Sequence, residues 1–170
     1  MTSLLPIVKY GDPVLRRKTA AVEKIDDDLL ATIQTMFRTM YAAPGIGLAA
    51  NQVGLSDCFA VIDLAPEGRR RPLVIINPQI VERSGTLYEE EGCLSVPGFA
   101  GKIKRSARVK VKALNEQGLP MIIEGEGLMA RCLQHEIDHL NGKLYIDHLP
   151  LVARLRMKRD IARRKRQGLF

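Results

Sequence analysis

His135-Glu136-Ile137-Asp138-His139 is the stretch of this sequence densest in groups that do chemistry. On a helix, residues four apart project side by side, so both imidazoles can reach one cation. Glu136, one position round, then stands near the ion's open coordination position. That geometry suits hydrolysis. In a chain of this composition the pattern would arise by chance at roughly three in a thousand, and it takes up two of only three histidines. The competing reading is a solvated helix with two exposed histidines and a surface acid. The third histidine, His148, opens the C-terminal tail and reads as an ordinary surface residue.

A catalytic metal site usually takes three protein groups plus water, so a third ligand is required. Metalloproteases built on this helix find it downstream, as a Glu or as a His following a Gly. Neither layout is present: no Glu follows Glu136, and Tyr145 stands three residues after Gly142, where the second layout wants His. Upstream, Glu91-Gly92-Cys93-Leu94-Ser95-Val96-Pro97 offers a thiol between a glycine and a turn-ending proline. A lone cysteine is more often a small buried apolar residue than a ligand. Here the acidic run Glu89-Glu90-Glu91 is expected to raise the Cys93 thiol pKa and hinder it as a free nucleophile, whereas a divalent cation would hold the thiolate deprotonated. Cys93 therefore reads as a metal ligand, and Cys132, three residues before His135, as apolar lining. A further segment, Gly45-Ile46-Gly47-Leu48-Ala49-Ala50-Asn51-Gln52, pairs two glycines that permit close approach of a ligand with a neutral hydrogen-bond donor, Gln52. It lacks the Lys and Ser/Thr of a phosphate loop, and Gly45 can equally serve only to end a helix.

These segments need elements to hold them. Apolar residues recur at three and four between Asp26 and Ala42, which predicts a first helix capped by the Asp26-Asp27-Asp28 run and stopped by Pro44 and Gly45. Phe59 to Asp63 and Leu73 to Asn77 are short β-branched runs, and Val109 to Leu114 alternates with period two. Asn115 to Gly118 reads as a turn into Met121-Ile122-Ile123, giving a hairpin. A second helix is predicted from about Gly127 to Leu140, with Glu124 and Glu126 near its start. A third, cationic and amphipathic, sets Leu151, Val152, Leu155 and Ile161 among basic residues and ends at Gly168. Helices at both ends with strands between them indicate an α+β fold.

The 170 residues suffice for one domain with a sizeable core, and 46% apolar with 26% charged residues excludes disorder, collagen and coiled coil. No stretch nears the roughly 20 apolar residues of a membrane span, and Pro6 breaks the only apolar run of the N-terminus, so neither membrane nor signal peptide is expected. Three scattered cysteines argue against a disulfide framework, with the reducing cytosol as default. The net charge of +7 belongs to the tail. Positions 149–170 hold eight basic residues and one acid, leaving eighteen of each sign over 1–148. Alone, such a tail reads as a solvated cationic helix.

Together and in this order, the segments GIGLAANQ, EGCLSVP and QHEIDH resemble the three signature motifs of the peptide deformylase family, and the likeness extends over nearly the whole chain. It implies antiparallel or mixed sheets around a central metal-binding helix, flanked by N-terminal and C-terminal helices. The implied organisation is a catalytic domain over 1–148 with a basic helical extension over 149–170 packed on it. From the family, Cys93, His135 and His139 are implied as ligands of one divalent ion, with Fe(II) native and Zn(II), Ni(II) or Co(II) able to replace it. Glu136 is implied as the catalytic acid/base, and Gln52 with the Leu94 N–H as oxyanion donors. Gly45, Ile46, Gly47, Glu91, Gly92, Leu128 and Cys132 are implied to line the substrate pocket, and Arg105 to pair with Glu91. Arg131 and Ala100 depart from the family pattern, which has an apolar residue and, in some members, an arginine there. The implied reaction removes formate from N-formylmethionine of nascent peptides, in the cytoplasm, by a monomer whose basic C-terminal helix docks on the ribosome.

Overall fold

The three aspartates start the first helix as their charges require. In the computed structural model, which describes residues 3–170, α1 spans Asp27–Ala42, and Asp26 caps it by accepting the Leu29 N–H at 3.0 Å. β1 (Gly47–Ala49), β2 (Phe59–Ile62), β3 (Leu73–Ser84), β6 (Arg108–Leu114) and β7 (Pro120–Glu126) form an antiparallel sheet in the order β1-β2-β3-β6-β7. β4 (Leu87–Gly92) and β5 (Ala100–Arg105) pair separately as a two-stranded ribbon. α2 spans Leu128–Leu140 and α3 spans Leu151–Arg166.

The β1–β2 end of the sheet is covered on both faces, which is why β2 is buried throughout, whereas β6 alternates buried Val109, Val111 and Ala113 with residues on a wetter face. Phe59 and Val61 pack with Ile33, Met36 and Met40 of α1, whereas Ala60 and Ile62 point the other way, toward Ala130, Leu133 and Ile137 of α2. The metal-motif helix therefore lies on one face of the sheet and is held there by its apolar side, leaving Glu136 and the two histidines facing β1 and the ribbon. This is the expected α+β fold, with antiparallel sheets and the motif helix between the terminal ones.

Three local expectations are corrected, and one strand pair was not foreseen. β3 runs seven residues past Asn77, because bulges between Ile76 and Glu82 absorb the Asn77-Pro78 step that looks like a strand breaker. The β4–β5 ribbon escapes the apolar pattern because its outer residues are charged: Glu90 faces Lys102 across the strands. Glu124 and Glu126 close β7 rather than open α2, whose first turn follows Gly127, at φ +57, without a side-chain cap. In α3, Leu151, Val152 and Leu155 are 60, 63 and 57% exposed, and it is Ile161 that is buried, against Val96, Tyr145 and Ile146. No helix among the described residues is long and apolar enough to cross a membrane.

Candidate active site

α2 brings His135 and His139 one turn apart on the face turned toward the end of β4, and the turn after β4 delivers Cys93. The three ligand atoms lie within 4.8 Å of one another, with His139 Nε2 3.2 Å from both Cys93 Sγ and His135 Nε2. Donors about 2.0–2.3 Å from one ion in tetrahedral array stand roughly 3.3–3.6 Å apart, so this set fits a single small cation. Glu91 Oε2 lies 2.9 Å from His135 Nδ1, which assigns the proton to Nδ1 and aims the Nε2 lone pair at the same point as the sulfur. The residues present thus fit one metal ion.

Glu91 is itself held. Arg105 donates to both its oxygens at 2.9 and 3.0 Å, and the same guanidinium donates to Asp138 at 2.5 Å. Burial opposes ionisation of Glu91, but the bonds from His135 and Arg105 outweigh it and hold the carboxyl down to about 2. Glu136 has the opposite fate. It is buried, one carboxylate oxygen has no protein partner, and burial pushes its pKa up against the pull of the His135 and His139 rings. A Cβ at Gly47 would overlap this carboxylate, so only glycine lets β1 pass so close.

The two thiols differ in the same way. Burial raises the Cys93 thiol, but the His139 and His135 rings overcome it and hold it well below its ordinary value. This corrects the expectation that the glutamate run would raise it: the two rings touch the sulfur, whereas Glu91 turns its carboxylate to Arg105 and His135, and Glu89 and Glu90 are exposed. Burial pushes the Cys132 thiol well up, aided by Glu136 and Glu91, in keeping with apolar lining.

Gln52 sits in a 3-10 turn, Ala50–Val53, directly after β1. Its Oε1 accepts the Ala49 N–H at 2.9 Å, which turns Nε2 toward Ser95 Oγ at 3.1 Å and Cys93 Sγ at 3.5 Å. The Leu94 N–H makes no hydrogen bond to the backbone among the described residues. Both donors border a cleft of about 540 Å³ lined also by Gly45, Ile46, Gly47, Glu91, Gly92, Leu128 and Cys132. Every residue expected at the site therefore meets at this cleft or, for His139, at its buried base. Arg131 lines it too, its guanidinium donating to the Glu90 carbonyl, while Ala100 lies outside it, exposed on β5.

Sequence reasoning missed three neighbours. His148 lies at the surface as expected, but it has a partner: its Nε2 lies 2.7 Å from Asp138 Oδ2. The buried Tyr145 ring stacks on His135 with centroids 6.3 Å apart, and Asn51 donates to the His139 carbonyl at 2.5 Å. Only Asn51 left a signal, as a polar residue within the apolar Gly45–Gln52 stretch.

A sequence model described as polypeptide deformylase matches residues 4–154. The chain is 49% identical over 166 residues to the peptide deformylase of Alkalilimnicola ehrlichii, covering 98% of this chain and 93% of that protein. It is 53% identical over 143 residues to peptide deformylase 1 of Clostridium acetobutylicum, covering 84% and 93%. A crystal structure of a peptide deformylase from Legionella pneumophila superposes with a TM-score of 0.91 at 44% identity, covering 98% of each chain. With this likeness running through both fold and motifs, the chain belongs to the polypeptide deformylase family, hydrolases that remove the formyl group from nascent peptides.

Proposed function

We propose that Cys93, His135 and His139 hold the ion at which deformylation occurs, with Glu136 as acid/base and Gln52 and the Leu94 N–H as oxyanion donors. The observation that carries this reading is the convergence of one sulfur and two imidazole nitrogens within 4.8 Å, beside a buried carboxylate with a free oxygen. A divalent ion bound there supplies Lewis acidity and activates water for attack on the formyl carbon. Glu136, with its raised proton affinity, takes the proton of the attacking water and returns it to the departing amine. Gln52 Nε2 and the Leu94 N–H stabilise negative charge on the formyl oxygen, each worth about 3 kcal/mol. Gly45, Ile46, Gly47, Glu91, Gly92, Leu128 and Cys132 form the walls that receive the methionine side chain.

A thiolate cancels one of the ion's two charges, which weakens its pull on water relative to an all-imidazole site; ferrous iron as the resident ion, with Zn(II), Ni(II) or Co(II) able to substitute, is what the family resemblance implies. We further infer a cytoplasmic monomer organised as a catalytic unit over 1–148 with a basic extension over 149–170. The exposed cations of α3 would meet ribosomal RNA phosphates, with affinity that falls steeply with salt. Formyl-Met-Ala-Ser, its acetylated form and the unblocked peptide separate the readings: formate release from the first alone is expected, and internal cleavage or no turnover contradicts it. Metal content after anaerobic purification, paired with rate, tests the iron assignment.

A further inference from the structure

The 3-10 turn Tyr145–His148 touches the metal helix at two points that sequence reasoning did not connect. Tyr145 stacks on the His135 ring directly. His148 reaches the same ring through a continuous chain of charged groups. Its Nε2–H donates to Asp138 Oδ2 at 2.7 Å, and the same oxygen accepts Arg105 Nη1 at 2.5 Å. Arg105 in turn donates through Nε and Nη2 to the two oxygens of Glu91, whose Oε2 also accepts His135 Nδ1–H. Arg105 is thus clamped between two carboxylates, its side chain only 4% exposed. Asp138, next to His139 in sequence, has its position set from outside by His148.

We propose that His148 is a positioning residue for His135. By fixing Asp138 it fixes the rotation of Arg105, and the guanidinium plane then fixes Glu91, which sets the tautomer and orientation of the histidine. Planar, two-point pairing transmits orientation in a way that a point charge does not. Outer partners of metal-binding histidines typically change metal retention about 10–100-fold when removed; His148 lies further out, so the low end of that range applies. This inference rests on the metal-site reading above.

The test uses the cobalt-loaded enzyme and measures cobalt release to a chelator, with kcat and KM for formyl-Met-Ala-Ser alongside. His148→Phe removes the N–H donor but keeps a ring, and His148→Gln keeps an N–H of similar reach. Arg16→Met cuts the Arg16–Asp147 ion pair, 2.5 Å, loosening the same turn without touching Asp138. Expected are cobalt release about tenfold faster in His148→Phe with lower kcat and unchanged KM, release restored to within twofold of wild type in His148→Gln, and a lowered melting temperature without faster release in Arg16→Met. Unchanged release in His148→Phe, no rescue by Gln, or equal acceleration by Arg16→Met overturns the proposal. Wild-type protein that takes up no cobalt overturns the metal site itself, and this inference with it.

Discussion

The two walls of the cleft each bury a glutamate, and they treat it in opposite ways. On the β4 wall, Glu91 has both oxygens bonded by Arg105 and one also by His135, and its proton affinity is driven down. On the α2 wall, Glu136 keeps an oxygen without a partner, packed against the bare backbone of Gly47, and its proton affinity is driven up. The same side chain, similarly buried, is a fixed anchor in one setting and a proton carrier in the other. Satisfaction of the carboxylate, and not burial, separates the roles.

The contrast breaks most readily at the α2 wall. Glu136→Gln keeps size and polarity but cannot carry a proton, so deformylation should fall about 10³–10⁴-fold while metal content, measured on the same sample, is unchanged. A variant that keeps a tenth of the rate would erase the distinction. At the β4 wall the expected loss is of stability first. Glu91→Ala strands Arg105 and the His135 N–H, which should lower urea-unfolding stability by about 3–5 kcal/mol and weaken metal retention by about 10–100-fold. Gln52 bridges the walls, since its amide is tied to β1 and points at Ser95 and Cys93. Gln52→Ala should cost about a hundredfold in kcat with metal retained.

This division explains what the sequence could show. Cys93, His135, His139, Glu136 and Gln52 were legible because their residue types and local spacing already imply their chemistry. The β4–β5 ribbon was not, because it is a charged two-stranded element whose burial is confined to a few positions such as Ile103 and Arg105. Asp138 and His148 were equally hidden. An acid and a histidine ten residues apart carry no periodicity, and only the turn after α2 brings them together. The bulged half of β3 was hidden by its proline, a breaker by type that the register shift accommodates. The first helix and the apolar strands, in contrast, could be read because α1 and α2 cover the β1–β2 end of the sheet on both faces, while β6 buries one face only and so alternates with period two.

Acid titration sharpens the same comparison from the other side. Glu91 and Asp138 are both held at about 2 in the folded chain. Their pairing therefore contributes stability that is fully present above their ordinary values near pH 4 and is lost as pH falls toward 2. Glu91→Gln should flatten that decline by about 2–3 kcal/mol in urea midpoints measured between pH 5 and 2. Glu136 has the opposite sign: its raised value costs stability at neutral pH, and acid removes the cost. The smallest effect belongs to α3. Arg156→Gln and Arg159→Gln alter exposed cations, so stability and turnover of a free tripeptide should stay within about 0.5 kcal/mol of wild type. Binding to ribosomes should weaken, with a shallower salt dependence.

The central claim is that one sulfur and two imidazoles share an ion beside Glu136, and the absorption spectrum of the cobalt-substituted protein tests it most directly. The account predicts one cobalt per chain with a thiolate-to-cobalt charge-transfer band that disappears in Cys93→Ser together with the deformylase rate. Stoichiometric cobalt without that band, or full activity in Cys93→Ser, would contradict it.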